Sequence, residues 1–210
     1  MLHINWADSN QMIIPADPPL SAYRKKKLET IKPEIARRCS LCAELLLNKT
    51  VRMEDPDFPL PLKIETDAYG KPFLAGHEYE FSLSHSSHYT ACALTDFPIG
   101  LDLQIRTNCE DRLVRRFFTE REQESIFSAN DRNAAFTRLW CRKESFLKAI
   151  GTGLRLPLDS FDVSEERPVL RYLGTAYGLR EYQTDNLFFS VCAPVDQLPD
   201  HISPVHLELP

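Results

Sequence analysis

Two stretches of the chain repeat apolar residues at the spacing of an amphipathic helix. The first starts at Pro33, whose missing N–H suits a first helical turn, and continues to about Leu47. The second spans 133–150, is predicted to be the longest helix, and ends at Gly151, a residue type that favours the backbone conformation found just after a helix. The apolar stripe of this second helix consists of Phe136, Leu139, Trp140, Leu147 and Ile150.

A lysine lies within that stripe. At about 100° per residue, Lys143 falls near the centre of the stripe, while Glu144 and Lys148 lie along its edge, one turn apart. A lysine in such a place usually extends its ammonium group to water. The alternative is that Lys143 points into a pocket in which an anion compensates its charge.

Alternating apolar and polar positions predict strands. The clearest is 99–105, in which isoleucine and leucine alternate with Gly100, Asp102 and Gln104. Because side chains two residues apart share a face of a strand, Asp102 and Gln104 are predicted side by side on its polar face. The other predicted strands are 79–84, 89–95, 161–164, 169–173, 179–184 and 187–193. The proline-rich residues 1–20 should form an extended entry segment, and those beyond 194 should be irregular.

The order of these elements suggests two similar halves. Residues 33–95 and 133–193 each contain a helix followed by a pair of strands. The segment HYTACAL at 88–94 also resembles LFFSVCA at 187–193. These observations indicate an internal duplication, although the similarity is weak by itself.

The composition is that of a globular protein in water. The 210 residues are 43% hydrophobic and 26% charged, and the net charge of −5 argues against general nucleic-acid binding. The apolar runs are short, for example 45–47 and 187–189, and no segment is long enough to span a bilayer. The start MLHINWADSN lacks the basic and apolar regions of a secretory signal, and six sparse cysteines suit free thiols. We therefore expect a cytoplasmic protein with no membrane or nucleic-acid partner.

Positive charge concentrates in two segments. Residues 24–38 contain seven basic side chains and two acidic ones, which suits a small polyanion or an anionic partner, although a solvated helix face explains the same pattern. Residues 112–118 are predicted to form a second basic helix, after which Thr119 and Glu122 provide a capping box for another helix, to about residue 129. The seven glycines form none of the loops that cradle phosphates, so bound phosphates would need side chains and a metal.

Two groups of residues are candidates for chemistry. Asp102, Gln104 and Glu144 offer the oxygen ligands that Mg²⁺ prefers, although acidic residues at such spacings are common. The segment FSLSHS invites a comparison with serine hydrolases but lacks their GxSxG turn. Its Ser84 and His85 suit hydrogen bonding to a phosphate at a strand end better, and an ordinary turn explains them equally well.

The order of motifs along the chain is more specific than any motif alone. The motifs are YGKP at 69–72, FSLSHS at 81–86, PIGLDLQ at 98–104, RFF at 116–118, WCRKESFLK at 140–148 and GTGLRLPLDSF at 151–161. In this order and spacing, the chain closely resembles the Sfp-type 4′-phosphopantetheinyl transferases over about residues 20–193.

The resemblance implies an α+β fold. It implies a monomeric pseudo-dimer of two similar halves, each a helix packed on a small, mainly antiparallel sheet, with the active site in the cleft between them. Residues 1–98 would contribute to coenzyme A binding, and residues 99–210 would carry the metal site and the carrier-protein contacts. The implied activity, of the holo-[acyl-carrier-protein] synthase type, moves 4′-phosphopantetheine from the co-substrate coenzyme A to a serine hydroxyl of an apo acyl or peptidyl carrier protein. It would release 3′,5′-ADP and depend on Mg²⁺ or Mn²⁺.

The resemblance also assigns roles to individual residues. The metal would be bound by Asp102, Gln104 and Glu144. Glu144 or Lys148 would be the catalytic group that accepts the serine proton. Coenzyme A would be bound by Lys26, Arg38, Lys71, Ser84, His85, Lys143 and Lys148. The acidic carrier protein would meet a basic and apolar surface formed by Arg112, Arg115, Arg116, Phe117 and Arg121, with Phe118 beside them.

Two departures from the family pattern bear on this site. Gln104 stands where the family often has glutamate, which removes one negative charge, so we expect a weaker or altered metal dependence. Ser87 stands where a glycine often follows the SHS motif. Two other functions stay open from the sequence. One is a different Mg²⁺-dependent phosphotransferase that acts on nucleotides, and the other is a relative that only binds carrier proteins or coenzyme A.

Overall fold

The chain folds into two units, each built around a four-stranded sheet, in a computed structural model that describes residues 1–184 and 186–208. The helices are α1 (Ala22–Thr30), α2 (Glu34–Glu54), α3 (Asp111–Phe117), α4 (Glu120–Ser128) and α5 (Arg132–Ile150). The strands are β1 (Leu2–Asp8), β2 (Ile64–Thr66), β3 (Pro72–Leu74), β4 (Glu80–Ser86), β5 (Tyr89–Thr95), β6 (Gly100–Ile105), β7 (Val169–Tyr172), β8 (Thr175–Gln183), β9 (Leu187–Pro194) and β10 (Val205–His206). The first unit comprises Met1–Pro98 and Ser203–Pro210, and the second comprises Ile99–Ile202. Among the helices in these described ranges, none has the length and apolar character that crossing a membrane requires.

The two units repeat one arrangement of strands around one long helix. The first sheet has the order β10-β1-β5-β4, with α2 packed mainly on β5. The second has the order β6-β9-β8-β7, with α5 packed on β6 and β9. The elements of the two units therefore correspond in chain order and in sheet position: β1 to β6, α2 to α5, β4 to β8 and β5 to β9. This repeat confirms the α+β class and the two similar, mainly antiparallel halves, while the cleft between them stays a prediction.

Local sequence signals explain the ends of α4 and α5. The Thr119 hydroxyl accepts a hydrogen bond from the Glu122 N–H at 3.3 Å, and the Glu122 carboxylate accepts one from the Thr119 N–H at 2.8 Å. This is the predicted capping box, which satisfies two backbone donors at the start of α4. Gly151 ends α5 with φ 73°, in the left-handed region that glycine adopts at little cost.

Helix α2 continues well beyond its predicted end. It has 21 residues and α5 has 19, so the prediction that 133–150 is the longest helix is wrong. Polar residues interrupt the apolar pattern after Leu47, but the fold buries them with partners. Asn48 donates to a backbone carbonyl at 2.9 Å, and Thr50 accepts from Asn5 at 3.0 Å. Val51 then returns to the core with no exposed surface, which keeps this part of the helix packed.

The predicted extended entry segment, residues 1–20, contains a strand, because β1 lies inside the first sheet, between β5 and β10. Two other predictions are wrong. Residues 161–164 form a loop instead of a strand, since the Asp162 carboxylate accepts hydrogen bonds from the Ser164 N–H and hydroxyl. The second half does not keep all of 99–210, because β10 pairs in parallel with β1 and so belongs to the first unit.

Candidate active site

A glycine allows β6 to lie directly on α5. A Cβ atom built on Gly100 would stand 1.9 Å from the Ser145 carbonyl oxygen and 2.3 Å from the Ala149 backbone nitrogen, distances that no side chain tolerates. The close approach brings the face of β6 that contains Gly100 and Asp102 against the helix. Cys141 on α5 donates to the carbonyl of Asp102 at 3.3 Å on the same contact.

Asp102 is the buried centre of this contact, with only 2% of its surface exposed. Its Oδ1 accepts a hydrogen bond from Lys148 Nζ at 2.7 Å, and its Oδ2 accepts one from Gln104 Nε2 at 2.9 Å. The predicted placement of Asp102 beside Gln104 on one face of the strand is therefore correct. That face packs on α5, however, instead of forming an exposed polar surface.

Glu144 is the second carboxylate of the cluster. Burial raises the pKa of Glu144, the negative charge of Asp102 raises it further, and the positive charge of Lys148 partly opposes them. Glu144 and Lys148 are four residues apart on α5, which places them one turn apart on the same side of the helix. The α5 sequence therefore presents an acid and a base together toward Asp102.

The chemistry of these side chains fits a divalent cation. The negative charge of Asp102 raises the pKa of Glu144, so a cation near both carboxylates would be favourable. An amide oxygen is an acceptable further ligand for Mg²⁺. Across residues 1–184 and 186–208, no cluster of three or more His, Cys, Asp or Glu side chains is arranged to hold a metal. A cation at Asp102 and Glu144 would therefore draw its other ligands from Gln104, water or a bound phosphate.

The structure contradicts the assignment of Lys143 to coenzyme A. The Lys143 side chain is fully buried and lies 2.7 Å from the equally buried Glu122 carboxylate. Its Nζ also donates to the carbonyls of Leu158 and Phe161, both at 2.7 Å, and lies over the Phe161 ring. The sequence alternative of a compensating anion is thus correct, but the anion is a side chain of the protein, brought there by the capping box of α4.

Apart from Lys148 on α5, the remaining predicted coenzyme A ligands lie in the first unit. Arg38 donates to the carbonyls after β1, at 2.7 Å to Ser9 and to Met12, so its guanidinium also fixes that segment. Lys71 lies 3.8 Å from a glutamate carboxylate. Three others differ in exposure: Lys26 is exposed on α1, whereas Ser84 is buried and His85 exposed on successive positions of β4. Their part in binding stays a prediction.

Sequence reasoning missed the ion pair that fixes α1 on α2. Arg24 was counted in the basic segment, yet it is buried and pairs with the fully buried Glu44 at 3.1 Å. Glu44 also accepts hydrogen bonds from the backbone N–H and the hydroxyl of Ser21, and Ser21 caps α1. The contact leaves Lys25, Lys26 and Lys27 as the exposed bases of α1. No local signal marks Glu44, because it looks like any other polar position of α2.

The predicted carrier-protein surface lies on α3 and α4. Four of its predicted members are exposed: Arg112, Arg115, Arg116 and Arg121. Phe117 is half-buried, with its ring edge against Trp140 at 5.7 Å between centroids. Phe118 is 1% exposed and belongs to the core, so it offers nothing to a partner.

Comparison with known proteins identifies several similar enzymes. A sequence profile described as "4′-phosphopantetheinyl transferase superfamily" matches residues 98–192, which include β6 and α5. The 4′-phosphopantetheinyl transferase Sfp of Bacillus subtilis (strain 168) is 27% identical, and the alignment covers 91% of this chain and 95% of that protein. The 4′-phosphopantetheinyl transferase ffp of Bacillus subtilis is also 27% identical, over 90% of this chain and 88% of its own. The 4′-phosphopantetheinyl transferase gsp of Aneurinibacillus migulanus is 31% identical, over 61% of this chain and 54% of its own.

The relatives named by these comparisons are all enzymes of one class, which transfer a phosphopantetheine group. The chain is similar over about nine tenths of its length to Sfp-type 4′-phosphopantetheinyl transferases, and the superfamily profile matches most of its second unit. Enzymes of this family transfer phosphopantetheine from coenzyme A to carrier proteins.

Proposed function

We propose that this enzyme transfers 4′-phosphopantetheine from coenzyme A to a serine hydroxyl of an apo acyl or peptidyl carrier protein, with Mg²⁺, and releases 3′,5′-ADP. The observation that supports it most directly is the buried Asp102 carboxylate, held between Lys148 and Gln104 and close to Glu144. These side chains lie within the matched residues 98–192. We further propose that the enzyme is a cytoplasmic monomer.

Asp102, Glu144 and Gln104 would hold the Mg²⁺ ion, and Mn²⁺ would serve as well. When bound, the ion would neutralise charge on the diphosphate of coenzyme A, which is the main requirement of phosphoryl transfer. Gln104 directs its amide nitrogen at Asp102, and the side chain would turn its amide oxygen inward to become a ligand. Gln104→Glu should then lower the Mg²⁺ concentration that half-saturates the rate, and an unchanged requirement would show that Gln104 is not a ligand.

In the transfer step, the serine oxygen forms a bond to the phosphorus that carries pantetheine, and the bond from that phosphorus to 3′,5′-ADP breaks. The serine proton needs an acceptor. Glu144 suits this role because its raised pKa makes it a stronger base than an ordinary carboxylate. Lys148, one turn away on α5, would contact the phosphates and stabilise the leaving group, and it is the rival proton acceptor.

Coenzyme A would also contact the first unit. Two of the proposed ligands, Lys26 and His85, are exposed, and Lys26 belongs to the basic face of α1. Ser84, Lys71 and Arg38 complete the set, with Arg38 in a double role because it also holds the segment after β1. A polyanion with several phosphates needs such basic groups in a chain that lacks a glycine-rich loop.

The carrier protein would dock on α3 and α4. Carrier proteins are acidic, so a surface that combines exposed arginines with the half-buried Phe117 suits them. The proposed contacts are Arg112, Arg115, Arg116, Phe117 and Arg121. Arg116→Glu should raise the KM for the carrier and leave the KM for coenzyme A unchanged. The matched control is Arg171→Glu on the edge strand β7, and equal effects of the two substitutions would contradict this docking surface.

The intact mass of an apo acyl carrier protein, incubated with the enzyme, coenzyme A and Mg²⁺, tests the proposed function. We expect a mass gain of one phosphopantetheine group, abolished by EDTA and by Glu144→Ala. If several apo carriers gain nothing while coenzyme A still binds, the chain is a binding protein instead. Transfer of a nucleotide in place of the pantetheine group would favour a different phosphotransferase.

A further inference from the structure

Lys148 forms an ion pair with Asp102, the carboxylate proposed as the central metal ligand. Its Nζ donates to Asp102 Oδ1 at 2.7 Å and to the Leu101 carbonyl oxygen at 3.0 Å. The other carboxylate oxygen, Oδ2, accepts from Gln104 Nε2. Both oxygens of the proposed central metal ligand are therefore engaged by side chains of the protein itself.

Lys148 already offsets half of the negative charge of this cluster. Asp102 and Glu144 contribute two negative charges when ionised, Lys148 contributes one positive charge, and Gln104 contributes none. A divalent cation that entered beside Lys148 would share a carboxylate with an ammonium group. Repulsion between such neighbours is strong where water is largely excluded, and Asp102 is buried. The cation and the lysine therefore compete for Asp102.

Lys148 is able to leave, unlike the other lysine of α5. Its side chain is 29% exposed, whereas that of Lys143 is completely buried among carbonyls and aromatic rings. Leaving Asp102 without a replacement partner would cost free energy, because it would strand a buried carboxylate. An incoming polyphosphate changes this balance, since it gives the ammonium group a new anion just as the metal takes over Asp102.

We propose that Lys148 acts as an internal counter-ion that keeps free divalent metal off Asp102 and moves to the phosphates when coenzyme A binds. Metal and coenzyme A then bind cooperatively, and by linkage each raises the affinity of the other by the same factor. This inference rests on the proposed function, because it takes coenzyme A as the ligand and Asp102 as a metal ligand. It adds that the empty enzyme resists metal and that one residue causes the resistance.

Direct Mn²⁺ binding tests the proposal without any turnover. The electron paramagnetic resonance signal of free Mn²⁺ gives the Kd for Mn²⁺ in the presence and absence of coenzyme A. We expect coenzyme A to tighten Mn²⁺ binding to the wild-type enzyme at least tenfold. Lys148→Met keeps the length of the side chain without its charge. It should bind Mn²⁺ alone at least tenfold more tightly than wild type, with the effect of coenzyme A reduced to less than threefold.

Three further variants separate this effect from general electrostatics. Arg171→Met also removes one positive charge, from β7 at the opposite edge of the sheet from β6, and should behave as wild type. Lys148→Arg retains the charge and should retain weak binding of Mn²⁺ alone. Asp102→Asn, combined with Lys148→Met, should abolish the tight Mn²⁺ binding expected of Lys148→Met. This loss would show that Lys148 and the metal compete for Asp102. Circular dichroism confirms folding, and Lys148→Gln replaces Lys148→Met if the latter does not fold.

An equal or lower affinity of Lys148→Met for Mn²⁺ in the absence of coenzyme A would overturn the proposal. Similar tightening by Arg171→Met would overturn it too, because any lost positive charge would then have the same effect. Either result leaves the proposed function intact as long as the wild-type enzyme loads a carrier protein. Failure of the proposed function shows instead as a lack of pantetheine transfer by the wild-type enzyme.

Discussion

Removal of the Lys143 ammonium group should lower the stability of the fold, because Lys143 forms a fully buried ion pair with Glu122. In Lys143→Met, the Glu122 carboxylate keeps its hydrogen bonds from the backbone N–H groups of Val163 and Thr119 but loses its only cation within 4 Å among the described residues. The carbonyls of Leu158 and Phe161 lose a donor as well. Removing one partner of a buried ion pair costs about 3–5 kcal/mol, and we expect Lys143→Met to lower the free energy of unfolding by that amount.

Urea unfolding followed by circular dichroism measures this loss. The double variant Glu122→Gln with Lys143→Met buries no charge and should recover a large part of it, so the two substitutions should be strongly non-additive. Arg121→Met is the matched control, because it breaks the exposed pair of Arg121 with Glu165 in the same unit. Exposed pairs contribute little, and we expect a change of about 0.5 kcal/mol or less.

Two results would refute this reasoning. The first is a loss of less than about 1 kcal/mol in the free energy of unfolding of Lys143→Met, and the second is additivity of the two substitutions in the double variant. Either would mean that Lys143 and Glu122 do not form a strongly coupled ion pair in the folded protein. The coenzyme A affinity of the folded variant gives an independent check. Since the Lys143 side chain has no exposed surface, that affinity should stay within about threefold of wild type. A tenfold weakening in a protein of unchanged stability would restore Lys143 as a phosphate ligand.

Three shorter predictions concern stability. Gly100→Ala should lower the free energy of unfolding in urea by about 3 kcal/mol, because the new Cβ meets the backbone of α5. In the control Gly178→Ala the new Cβ meets only side chains, so the loss should be much smaller. Equal losses would contradict the close approach of β6 to α5. Burial raises the pKa of Glu181, but hydrogen bonds from Arg142 and a second arginine outweigh burial and hold the pKa below its ordinary value of 4.5. The ionised Glu181 carboxylate therefore stabilises the folded protein above that pH, and this contribution is lost as the pH falls below it. Glu181→Gln should therefore flatten the decline of unfolding midpoints in acid, and an unchanged slope would refute the linkage. Ser87 has φ 55°, so Ser87→Gly should be neutral or stabilise the fold by up to about 1 kcal/mol in thermal unfolding, and a clear loss would show that its hydroxyl matters more than its backbone strain.

The parts of the fold that were predictable from sequence are those set by neighbouring residues. The alternation of β6, the capping box at Thr119 and the glycine after α5 each depend on geometry within a few residues. The same holds for the face shared by Asp102 and Gln104, because strand periodicity determines it. The motif order then identified the family, which the comparisons with relatives support independently. Local information also failed where polar residues are buried, as in the last turns of α2 and in β1.

What the sequence determined by itself was therefore the elements, the class of fold and the identity of the chemical groups. Only the tertiary structure decided how those groups are partnered. Lys143 forms an ion pair with Glu122 instead of binding a ligand, and Arg24 pairs with Glu44 instead of contributing to a basic surface. Lys148 pairs with Asp102. A charged side chain looks the same in sequence whether it is solvated, paired or ligand-binding. Its role depends on the cost of burying the charge and on which opposite charge lies within a few ångströms, and residues distant in the chain set both.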